Sequence, residues 1–120
     1  PAYSSAQSSI PSFDARTVGD LTALCDVQPG SPERSASFAF CHGFLQGAGQ
    51  YHGAVTQPGS PLRPVFCVPS PPPTRSSVAQ AFVAWAKANP QRSQDLAVDG
   101  LARWAAETYP CPPSPGRGSR

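Results

Sequence analysis

The stretch Thr74–Thr108, TRSSVAQAFVAWAKANPQRSQDLAVDGLARWAAET, decides the fold class. Thr74 is a helix-capping residue, and Val78, Phe82, Trp85 and Ala86 behind it fall on one stripe at helical spacing. Asn89-Pro90 ends that helix, because a proline biases the residue before it away from helical geometry. A short polar turn follows, with Ser93 expected as the next cap. Ala97, Leu101, Trp104, Ala105 and Thr108 then share one face of a second helix. Two amphipathic helices joined by so short a turn form an antiparallel hairpin. The start of the first then lies beside the end of the second.

Cys67 precedes that hairpin and Cys111 follows it, so the geometry favours a Cys67–Cys111 bridge and leaves Cys25 to pair with Cys41. Four cysteines allow three connectivities, and spacing alone does not choose among them. An even count with no Cys-x-x-Cys pair points to disulfides in an oxidising compartment rather than to zinc or redox chemistry. Closing a loop of about 15 residues between Cys25 and Cys41 is worth about 3 kcal/mol in the chain-entropy model.

Upstream, Thr17 and Asp20 form a weak capping box, and Val18, Leu21, Leu24 and Cys25 share a face of a short first helix that stops before Pro29-Gly30. Ser31-Pro32-Glu33 combines a cap, a proline at the first helical position and an acid near the positive end of the dipole. A long helix is expected from there to about Gly53. It carries two apolar stripes: Phe38, Cys41, Leu45 and Ala48 on one, and Phe40, Phe44, Gly47 and Tyr51 on the other. The second stripe is expected to be core or a dimer face, with Gly43 and Gly47 admitting another backbone. Residues 54–73 are broken by prolines and cannot be helix or central strand. Their Pro71-Pro72-Pro73 run abuts the next cap and reads as a rigid connector more readily than as a ligand for an aromatic groove.

The expected architecture is therefore all-α: a small disulfide-bonded bundle of about four helices at 17–112, between flexible tails at 1–16 and 113–120. The 16 prolines and 10 glycines are gathered at the ends and between the periodic segments, which argues against general disorder. With 13% charged residues and a net charge of +2, the chain has no footprint for nucleic acid. No segment approaches the roughly 20 apolar residues that span a bilayer.

Asp20-Leu21 leading to Leu24-Cys25, then Phe40-Cys41-His42-Gly43-Phe44-Leu45-Gln46-Gly47, Phe66-Cys67-Val68-Pro69, Asn89-Pro90 and Tyr109-Pro110-Cys111 resemble, in this order and spacing, the Rap/Tai immunity proteins of type VI secretion systems. The proline-rich segment around Cys67 is longer than that family usually carries. The resemblance implies an all-helical periplasmic homodimer, exported with its leader removed, that binds a secreted peptidoglycan amidase effector and occludes its active-site groove with an inter-helix loop. Here the matching loop is Pro90, Gln91, Arg92, Ser93, Gln94 and Asp95. A second contact is expected from the connector at Gln57, Ser60 and Arg63.

No catalytic residue, metal ligand or cofactor site is expected. His42 sits beside a disulfide cysteine, His52 lies near a helix end, and neither accompanies a nucleophile elbow or paired carboxylates. The alternative is a periplasmic helical chaperone or small-ligand carrier. It would be a monomer using Phe40, Phe44 and Tyr51 to hold apolar surface.

Overall fold

The structure is a computed structural model that describes residues 13–27, 30 and 32–113. Among the described residues there are four α-helices: α1 (Val18–Cys25), α2 (Arg34–Val55), α3 (Arg75–Ala88) and α4 (Ala97–Thr108). One turn of 3-10 helix, Pro90–Arg92, lies between α3 and α4. No strand occurs among the described residues; an isolated antiparallel bridge joins Thr17 and Leu96. The all-α, disulfide-bonded expectation holds.

The shortest helix is the centre. α1 packs against each of the other three, and Val18, Leu21, Leu24 and Cys25 are all buried. Its capping box is complete: Thr17 Oγ1 accepts from Asp20 N at 3.1 Å, and Asp20 Oδ2 accepts from Thr17 N at 3.1 Å. Around it lie Phe82 and Ala79 of α3 and Trp104 and Ala105 of α4. The rings of Phe82 and Trp104 meet edge to face with centroids 5.9 Å apart, and Tyr109 meets Trp104 in the same way at 5.6 Å. Many of the buried side chains are alanine, so helix axes approach closely and little apolar volume is enclosed. The closest approach is at Gly100, where a Cβ would collide with Val18 Cγ2. Gly100 is thus a packing residue that the apolar period did not reveal.

Two disulfides supplement this small core. Cys25–Cys41 joins α1 to α2 across 16 residues, with Cα atoms 5.2 Å apart. Cys67–Cys111 joins the connector to the end of α4 across 44 residues, with Cα atoms 4.8 Å apart. Cys67 N also donates to Tyr109 O at 2.8 Å. Loops of these lengths contribute about 3 and about 4 kcal/mol in the chain-entropy model.

Several local expectations are corrected. α2 begins at Arg34, with Glu33 at its N-cap making no side-chain capping bond. Pro32 therefore stands in the preceding turn, and the expected cap Ser31 lies outside the described residues. Ser93 does not cap α4; Leu96 occupies that position without a side-chain bond. The two stripes of α2 are unequal. Cys41 is fully buried and Phe38, Leu45 and Ala48 are half-buried, whereas Phe40, Gly47 and Tyr51 are exposed and Phe44 is half-buried. Beyond its own stretch of helix, no atom of the described residues comes within 4 Å of a Cβ built at Gly43 or Gly47, so the close backbone approach expected there does not occur among the described residues. Of the segment 1–16, only Phe13–Arg16 are described. Phe13 stacks on Phe40 at 6.0 Å and Arg16 O accepts from Ala97 N at 2.8 Å, while Phe13, Asp14 and Arg16 are exposed. The rest of that segment, and most of 113–120, lie outside the described residues.

Gly100→Ala should destabilise the protein by about 2 kcal/mol through overpacking against Val18, measured by urea denaturation. Cys67→Ser or Cys111→Ser should cost about 4 kcal/mol. Ser93→Ala should cost under about 0.5 kcal/mol, because its side chain caps nothing and its carbonyl is retained.

Candidate functional site

The segment between α3 and α4 is held by main-chain bonds at both ends. α3 stops at Asn89, whose side-chain Nδ2 donates to Trp85 O at 2.8 Å. Pro90 opens the 3-10 turn, and within it Arg92 N donates to Asn89 O at 2.9 Å and Ser93 N to Pro90 O at 3.1 Å. Asp95 N then donates to Arg92 O at 3.0 Å. Two further carbonyls of this segment are taken up by α1. Asp95 O accepts from Val18 N and Ser93 O from Gly19 N, both at 2.9 Å. These are the first two N–H groups of α1, which a helix cannot satisfy internally. Gly19 fits this approach closely: a Cβ there would stand 3.3 Å from Ser93 O.

Each expected contact residue can now be placed. Pro90, Gln91 and Gln94 are exposed, while Arg92, Ser93 and Asp95 are half-buried. Arg92 Nη1 pairs with Asp95 Oδ2 at 3.0 Å, so these two charges are turned on each other rather than offered outward. Gln91 Nε2 donates to Asn89 Oδ1 at 3.2 Å. The outward surface of the turn is thus a proline and two glutamines, with a neutralised ion pair beneath. Gln91 and Gln94 offer hydrogen bonds from a backbone that main-chain bonds hold in place.

This turn belongs to a chain with a recognisable pedigree. Residues 17–111 match the family model of the Rap1a immunity proteins. The chain belongs to that family. The match runs from the cap of α1 to the second cysteine of the Cys67–Cys111 bridge, so it covers the whole four-helix body. No curated protein and no solved structure matches it. As a Rap1a immunity protein, the chain acts by binding a secreted effector.

The second expected contact of this Rap1a protein lies in the connector. Gln57 and Arg63 are exposed and Ser60 is half-buried. Ser60 Oγ donates to Val55 O and accepts from Leu62 N, Ser60 N donates to Gln57 O at 2.8 Å, and Gly59 turns the chain with φ +92°. The connector is anchored beyond this point at Cys67, beside the C-terminal end of α4. The turn 90–95 precedes the N-terminal end of α4, about 18 Å away along a 12-residue helix. The structure does not bring the two expected contacts together: among the described residues no hydrogen bond or ion pair joins them.

Among the described residues no group of three or more His, Cys, Asp or Glu side chains could hold a metal ion. His42 stacks on Phe38, and His52 stacks on Phe66 while its Nε2 accepts from Val65 N at 3.1 Å. No helix among the described residues is long and apolar enough to cross a membrane.

Arg92→Ala combined with Asp95→Ala should leave the circular-dichroism spectrum unchanged and lower stability by less than about 1 kcal/mol. The main-chain bonds to α1 hold the turn without that half-buried pair.

Proposed function

We propose that this protein is a periplasmic immunity protein of a type VI secretion system, which binds a cognate peptidoglycan amidase and blocks its active-site groove with the turn Pro90–Asp95. The observation that carries the reading is the fixed exposed turn. Both of its ends are bonded in main chain, and its middle presents Pro90, Gln91 and Gln94 outward. An inhibitor loop that is ordered before binding avoids the entropy that a floppy loop loses on docking. Family membership supplies the effector partner, and the two disulfides suit an oxidising compartment such as the periplasm. In this reading the protein inhibits and does not catalyse.

Gln91 and Gln94 then make the specific hydrogen bonds to the groove, and Arg92 with Asp95 shapes the turn between them. The connector at Gln57, Ser60 and Arg63 is reserved for a separate contact on the effector. The exposed stripe of α2, with Tyr51 at 71% exposure beside the open Gly47, serves as a homodimer face. Apolar surface of this kind on a helix needs a cover.

The test is expression of the cognate amidase in the periplasm of a test bacterium, with and without this protein, scored by lysis and co-purification. Rescue with a stable complex is expected; lysis despite good expression, with no complex, would overturn the reading. With purified components, Gln91→Ala combined with Gln94→Ala should raise the inhibition constant about thirtyfold, at about 1 kcal/mol per lost hydrogen bond. Arg92→Ala with Asp95→Ala should also weaken inhibition. Full inhibition by both double variants would remove the site from this turn. Light scattering should give a dimer that Tyr51→Asp weakens.

A further inference from the structure

Between the C-terminal half of α2, the connector and one side of α4 lies a cleft of about 550 Å³. Leu45 and Val55, Phe66 and Val68, and Leu101 form its walls, and no Lys, Arg, Asp or Glu lines it. The one histidine in its lining is already engaged: His52 Nε2 accepts from Val65 N, and the ring lies against Phe66 with centroids 4.1 Å apart. The connector cannot collapse into this space. The Cys67–Cys111 bridge and the Cys67 N to Tyr109 O bond hold its middle, and Pro69 with Pro71, Pro72 and Pro73 stiffens its far side. The cleft is therefore a property of the covalent and main-chain framework.

A second pocket, of about 190 Å³, adjoins the first and shares Leu45, Pro73 and Val78 with it. Its other lining residues are His42, Gln46 and Arg75. Lys87, Arg92 and Arg103 each pair with a carboxylate, but Arg75 enters none of the ion pairs among the described residues. It is exposed at the start of α3. A charge-free apolar cleft thus opens onto a pocket edged by an uncommitted guanidinium. Cleft size and lining are those of a small-molecule site, and a guanidinium fork matches a carboxylate.

We propose that the two pockets form one binding site for a fatty carboxylate, with the aliphatic chain in the cleft and the carboxylate against Arg75. Gln46 and His42 edge the same pocket and offer donors to the second carboxylate oxygen. None of the turn residues Pro90–Asp95 lines either pocket, so the site is separate from the proposed effector contact, but Tyr51 of the proposed homodimer face also lines the cleft.

The test is isothermal titration of the full chain with octanoate, decanoate and dodecanoate below micelle formation, with decanol as the uncharged comparator. One chain should bind per protein, and each added methylene should tighten binding about two- to fourfold until the cleft is full. Arg75→Gln should weaken decanoate about two- to fivefold and leave decanol unchanged. Ala48→Phe and Ala102→Phe fill the cleft from opposite walls, so a fault in folding of one, checked by thermal melting, leaves the other to decide. Each should abolish binding of both ligands. Absence of saturable binding would overturn the proposal, as would an Arg75→Gln variant that weakens decanoate and decanol equally. A dimer that binds no fatty acid and is dissociated by Ala48→Phe would also overturn it, by showing a second copy in the cleft.

Discussion

Helices α1 and α4 begin side by side, and each start is completed by the chain leading into the other. Val18 N and Gly19 N donate to Asp95 O and Ser93 O, while Ala97 N donates to Arg16 O. A free helix start leaves its leading N–H groups unpaired, which is costly once water is excluded. Here segments 80 residues apart in sequence satisfy one another. Asp20 and Asp99 in the two first turns oppose the positive dipole ends that are brought together. This exchange fixes α1 against α4, which sets the Gly100–Val18 approach and centres the core on the shortest helix. It also anchors the turn 93–95 as a structural part rather than a loose loop.

Around that centre the protein is built from small residues and cross-links. Alanine and glycine at the helix contacts keep the axes near one another but enclose little apolar volume, so burial contributes less per residue than a leucine-rich bundle would gain. The disulfides tie down α2 and the connector, both of which bury little. Among the residues of α2 only Ser37 and Cys41 are fully buried. A helix of 22 residues attached so sparingly leaves most of its surface for other partners. An exposed aromatic stripe lies along it, and an apolar cleft opens beside its second half.

An immunity protein needs a surface that does not rearrange when it meets its effector. In the proposed effector contact, rigidity at the turn comes from backbone bonds, which leaves the side chains of Gln91 and Gln94 for recognition. The half-buried Arg92–Asp95 pair closes the base of the turn, leaving neutral, hydrogen-bonding groups as its outward chemistry. Neutral amides bind by geometry more than by long-range attraction, which suits discrimination among related effectors.

The amino-acid sequence by itself determined the helices, the connector and the family, and favoured a disulfide pairing that the structure then fixed. Caps such as Thr17 and Thr74, the proline stops and the apolar periods are local features whose physics acts over a few residues. The start of α2 was less legible, because Ser31-Pro32-Glu33 resembles a helix start although the helical geometry begins only at Arg34. The named turn was visible as polar chain between two helices, but the role of Ser93 was not: its side chain suggested a cap, whereas its carbonyl serves α1. Only the tertiary structure decided that Gly100 is a packing residue, that Arg92 and Asp95 spend their charges on each other, and that the apolar groups of α2, the connector and α4 surround an open cleft. Main-chain bonds between distant segments use atoms that every residue carries, and a cleft is a shape between elements, so neither leaves a pattern in the order of side chains.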